Sequence, residues 1–208
     1  MSARHFLLPA ARDAVAGAVR DLEMKTSAEV VVAVRPVSGH YRHTDYLVGY
    51  VLALGALCVF LFHPEPFAYD IFPLEMTVAF AFGALVCANL APLRRALTAR
   101  KLLDESVRRA ARAAFVDLGV SRTQGRTGLL VYVSTFERRV EIVADCGVDL
   151  AALGADFEAS RARLEGAVAR EVDFKRFLEA LGALGEALGK ALPRAADDVN
   201  ELGDEVRA

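Results

Sequence analysis

The sequence predicts an α/β domain interrupted by a two-helix apolar hairpin, and three observations carry that prediction. Two β-branched runs, Glu29–Arg35 and Gly128–Ser134, read as buried strands. Amphipathic helical patterns lie before the first strand and around the second. Between the strands sit two uncharged stretches, residues 46–62 and 76–93, that show no polar face. Hydrophobic residues make up 54% of the 208 and the mean hydropathy is +0.31, above the roughly 45–50% apolar share of soluble domains. The surplus is concentrated in those two stretches.

Residues 11–25 place Val15, Val19 and Leu22 on one helical face, and Pro36 and Gly39 bound the strand that follows. The stretch 46–62 reaches ~26 Å as a helix, close to the ~27–30 Å of a hydrocarbon core. The second, 76–93, is interrupted only by Thr77 and Asn89. Pro64, Pro66 and Pro73 stop the helices between them. That connector carries Glu65 and Asp70 but no Lys or Arg, whereas Arg35 and Arg42 precede the pair and Arg94, Arg95, Arg100 and Lys101 follow it. The positive-inside rule then predicts a transmembrane hairpin with both termini cytoplasmic. Tyr46, Tyr50, Phe60, Phe62, Phe67 and Tyr69 suit its interfaces.

Residues 96–118 predict one long helix with Leu103, Val107, Ala111 and Phe115 inward, ended by Gly119. After Gly128–Ser134, a turn at 135–137 leads to an alternating strand over 138–144 that pairs back as a hairpin. Asp173 caps a helix carrying Phe177, Leu181, Leu184 and Leu188, and the acidic end is expected to be loosely held. The expected divisions are 1–44 and 94–193 for the two parts of the soluble domain, 45–93 for the hairpin and 194–208 for the tail.

A net charge of -2 gives no reason to expect nucleic acid as a partner. Cys58, Cys87 and Cys146 form no CxxC pair, so neither a disulfide framework nor a structural zinc site is expected. The apolar start at Phe6 is too short for a signal-peptide core. No P-loop, GxSxG or dinucleotide fingerprint is present. His40, His43 and Asp45 have ligand-like spacing beside the first span, set against the plainer reading of an interfacial polar segment. The basic stretch 94–112 is suited to anionic lipid headgroups.

Thr26-Ser27-Ala28-Glu29-Val30-Val31-Val32, then Phe115 to Gly119, then Arg126-Thr127-Gly128 onward to Gly147, resemble the TPM-domain family. That family includes a thylakoid lumen acid phosphatase and many bacterial membrane proteins. The resemblance covers about residues 11–35 and 96–193, and is nearest to a bacterial branch with a transmembrane hairpin inserted in the domain. It implies an α/β/α sandwich at a bacterial inner (plasma) membrane. In phosphatase-like members it also implies an acidic cleft for Ca2+ or Mg2+. Those members carry Asp-Asn-Gly where this chain has Arg126-Thr127-Gly128. Glu137 stands at the turn acid, Asp149 near the final acid, and Asp145 adds a carboxylate, making these three the candidate metal ligands. Their competing reading is as ordinary turn and strand-end residues. Calcium wants ~6–8 oxygens, so an arginine in place of an acid weakens such a site, although Arg126 is itself suited to a phosphate.

The expected function is therefore a membrane-anchored module, non-catalytic or weakly catalytic, for assembly, maintenance or regulation of a membrane complex. Its candidate partners are the lipid bilayer and another membrane protein. The alternative is a divalent-metal-dependent phosphatase at the inner membrane face.

Overall fold

The computed structural model describes residues 6, 8–64, 70–150, 152–170, 173–194, 200–203 and 206–207; Glu65, Phe67, Tyr69 and part of the acidic tail lie outside them. Among the described residues the chain is mixed α/β and mostly helical, with one sheet ordered β1-β2-β3. It divides into two compact units, Met1–Ser38 with Asp104–Ala208, and Gly39–Leu103.

In the first unit β1 (Glu29–Arg35) pairs in parallel with β2 (Gly128–Ser134), Glu29 opposite Gly128. β2 pairs antiparallel with β3 (Arg139–Ala144). The strand period of two sorts the side chains. Val30, Val32, Val34, Leu129, Val131 and Val133 share a core with α1 (Pro9–Glu23), α6 (Gly154–Ala169) and α7 (Phe174–Ala191). Val31, Ala33, Leu130 and Tyr132 pack instead with Val107, Ala111 and Phe115 of α5 (Arg100–Asp117). β2 is buried along its whole length, which is why its sequence is a continuous apolar run rather than an alternating one. Gly185 lets α7 lie against α1, since a Cβ there would meet Leu22 Cγ at 2.8 Å. The Asp173 side chain accepts from Arg176 N at 3.1 Å and caps α7.

The outer edge of β1 is closed. Glu23, itself buried, accepts from Val30 N at 2.9 Å. Farther along, Val34 N donates to Arg207 O at 2.9 Å and Arg207 N donates to Val32 O at 3.0 Å. Val206 beside it is buried. The described part of the acidic tail is thus seated on the sheet, where loose attachment was expected from its composition.

The second unit holds α2 (Arg42–Phe62), α3 (Phe72–Asn89) and α4 (Ala91–Leu97). The second apolar helix is shifted from 76–93: it begins at Phe72 and stops at Asn89. Pro92 has no N–H to continue the ladder, and Leu90 leaves helical geometry. The single helix expected over 96–118 is likewise two, because Thr98 turns extended and donates its hydroxyl to Arg94 O at 2.7 Å.

With 21 and 18 residues, α2 and α3 are ~31 and ~27 Å long, long and apolar enough to cross a membrane. They are not core helices, for only 11% of each apolar window is buried. Leu47, Val51 and Leu61 on α2 and Val78, Phe82 and Leu85 on α3 are exposed. Thr77 Oγ1 donates to Pro73 O and Asn89 Nδ2 to Leu85 O, both at 2.8 Å, so each polar side chain is satisfied within its own helix.

The two helices meet backbone to backbone. A Cβ at Gly49 would lie 2.6 Å from Phe80 O, and one at Gly83 would lie 3.0 Å from Gly49 Cα. Small residues at the crossing allow that approach. Gly83→Leu is expected to destabilise the hairpin by ~1–3 kcal/mol, read as a lower Tm of the full-length protein in detergent. Gly55→Leu, whose added Cβ meets nothing within 4 Å, should leave Tm unchanged.

Candidate functional site

Glu137 sits in the turn between β2 and β3, at the carboxyl ends of the parallel pair β1 and β2, the end where open α/β sheets usually bind ligands. The turn is held against the chain leaving β1: Thr135 N donates to Arg35 O at 3.1 Å and Phe136 N to Pro36 O at 3.0 Å. Arg138, at φ +56, reverses the chain into β3. Glu137 is only 1% exposed. Its Oε1 accepts from Ser38 N at 2.9 Å, and its Oε2 accepts a short hydrogen bond from Ser134 Oγ. Ser38 Oγ in turn donates to Ser134 Oγ at 2.7 Å and lies 2.9 Å from the Tyr132 hydroxyl. Burial pushes the Tyr132 pKa up, favouring a neutral donor to Ser38. A carboxylate so enclosed fixes the loop after β1 and offers few lone pairs to a cation.

Asp145 and Asp149 lie at the other end of β3. Six strand residues separate Asp145 from the Glu137 turn, roughly 20 Å at ~3.3 Å per residue. Asp145 Oδ1 accepts from Cys146 N at 2.7 Å, and Oδ2 lies 3.4 Å from Arg126 Nε. That second contact is an ion pair without hydrogen-bond geometry, for Oδ2 is buried without a hydrogen-bond partner. Arg126, at φ +55, is therefore the counter-ion of the nearest acid. Asp149 is exposed and accepts from Ala152 N at 3.3 Å, closing the turn before α6. The three candidate ligands are thus split two and one. No group of three His, Cys, Asp or Glu among the described residues is placed to hold a metal.

In the hairpin unit, His40, His43 and Asp45 also part company. His40 is exposed, and His43 Nε2 lies 3.2 Å from Thr44 Oγ1. Asp45 is buried and accepts from Arg94 Nη2 at 2.6 Å. Beside this pair Thr44 Oγ1 meets Thr98 Oγ1 at 3.0 Å. The sequence alone assigned Arg94 to flanking charge; in the structure it neutralises an acid on the neighbouring helix. Ser38, Tyr132 and Ser134 were not singled out either, since isolated hydroxyls carry no spacing signal.

No protein-family model and no curated protein sequence matches the chain. The fold is similar to the NMR structure of the BA42 protein from the psychrophilic bacterium Bizionia argentinensis, with a TM-score of 0.54. The likeness covers 94% of this chain and 90% of that one at 16% sequence identity, a level that speaks to fold alone.

Two expectations follow for full-length protein in detergent. Glu137→Ala strands the Ser38 N–H and the Ser134 hydroxyl, and should lower unfolding stability by about 2–3 kcal/mol in denaturant titrations, with Glu137→Gln losing clearly less. Arg94→Ala alone leaves the buried Asp45 charge unpaired and should cost about 3–5 kcal/mol, with Asp45→Ala costing less because Arg94 is only half-buried. In a double-mutant cycle on the same protein, removing both should cost much less than the sum.

Proposed function

We propose that the chain is a membrane-anchored module of the TPM-domain type, an α/β/α sandwich carrying an inserted transmembrane hairpin. We read it as non-catalytic or weakly catalytic, acting in assembly, maintenance or regulation of a membrane complex at a bacterial inner membrane with both termini cytoplasmic. The observation that supports the anchor is the exposed apolar surface of α2 and α3. Each large apolar side chain moved out of water contributes ~1.5–3 kcal/mol, so leaving this many wet would cost an amount comparable to the ~5–15 kcal/mol stability of a whole domain. A bilayer covers the faces that the two helices do not turn toward each other. The flanking Arg and Lys residues support the cytoplasmic orientation.

The placement of the acids supports a non-catalytic reading over the alternative of a divalent-metal-dependent phosphatase. Phosphoester hydrolysis with Ca2+ or Mg2+ needs carboxylates that converge on the ion. Here Glu137 is spent on Ser38 and Ser134, and Asp145 faces Arg126.

In cells, the chain should stay with membranes through an alkaline carbonate wash, and release into the wash would sink the anchor. Purified full-length protein should show no Ca2+- or Mg2+-dependent hydrolysis of p-nitrophenyl phosphate. Metal-dependent turnover abolished by Glu137→Gln would establish the phosphatase instead.

A further inference from the structure

The two edges of the sheet are treated differently. The β1 edge is closed by Glu23 and by Arg207, whereas β3 has no strand beyond it among the described residues. Asp145 N donates to Gly128 O at 2.9 Å, and counting back in twos from that pair turns the backbone of Val143, Glu141 and Arg139 toward β2. The N–H and C=O groups of Val140, Ile142 and Ala144 therefore point outward. They make no backbone hydrogen bond among the described residues. An edge of this kind is a template for one more strand.

A cleft of about 230 Å³ runs past this edge. Arg108 and Arg112 of α5 line one side, Phe157 and Arg161 of α6 the other, and Glu141 and Ile142 of β3 lie between. Because α5 and α6 cover opposite faces of the sheet, a cleft touched by both must lie along the free strand. Leu150 and Glu158 complete the lining, so three arginines stand against two acids, Glu141 and Glu158. Arg161 is tied to Glu158 and Glu165 at 3.5 and 3.3 Å. Arg108 reaches Glu141 only at 4.0 Å, and Arg112 forms no ion pair among the described residues. Arg139, at the start of β3, is held by Asp104 at 2.8 Å.

We propose that the free edge of β3 is a strand-addition site for an extended acidic segment of a partner protein. The incoming backbone pairs with Val140, Ile142 and Ala144. Its acidic side chains meet Arg108 and Arg112, and its alternate apolar side chains lie over the half-buried Ile142. A second copy of the chain is less suited, since two-fold antiparallel pairing of β3 with β3 sets both copies of Arg108 and Arg112 on the same face of the joined sheet. The described part of the chain's own tail is engaged at β1. All residues of the site belong to the first unit.

The test uses full-length protein in detergent micelles and a fluorescein-labelled octapeptide of alternating glutamate and valine. Saturable binding is expected below about 1 mM, weakening as salt rises. R108E/R112E should weaken it by at least about tenfold while leaving Tm unchanged, as both side chains are exposed. N-methylation of alternate peptide amides should abolish it, and hydrogen exchange at Val140, Ile142 and Ala144 should slow in the complex. No saturable binding, binding indifferent to N-methylation, or equal binding of a lysine–valine peptide overturns the proposal; in the first case the arginines serve only to repel other edges.

Discussion

The parallel ladder between β1 and β2 is the constraint on which the first unit depends. It joins strands that lie far apart in the chain, and parallel neighbours cannot be linked by a tight turn. A long connection is therefore obligatory, and this chain uses it to carry the apolar hairpin as well as α5. The insertion leaves the sheet intact because it occupies a crossover the topology already needs. Ser38, the last residue of β1's segment, is held by Glu137 from the far side of the insertion. The β2–β3 turn thereby fixes where the chain departs.

Buried acids recur as structural fasteners. Glu23 satisfies the N–H of an edge strand, Glu137 closes the loop after β1, and Asp45 neutralises Arg94 within the hairpin. A carboxylate removed from water must recover its solvation from donors, so each gathers backbone N–H, hydroxyl or guanidinium partners. Such acids look like catalytic candidates in a sequence, because burial cannot be read there. The structure separates them by what they already bind.

The sheet's two edges follow from the same accounting of donors and acceptors. One is filled by the chain's own side chain and tail; the other is left with outward backbone groups between two helices that bring arginines to it. Charge at an open edge keeps like edges apart and selects what can pair.

Much of the local structure was legible in the residues. The β-branched runs bounded by Pro36 and Gly128 marked both strands of the parallel pair, Gly119 marked the end of α5 at φ +71, and Asp173 marked the start of α7. These are short-range effects, settled by propensity, capping and φ. The absence of charge over 46–62 and 76–93 likewise showed two apolar helices, although Pro92 moved the end of the second. Only the tertiary structure decided that Glu137 and Asp145 stand at opposite ends of a strand, that Arg94 pairs with Asp45, and that the tail closes β1. Those outcomes turn on which distant segments share a register, and sequence spacing measures length along the chain, not distance through space.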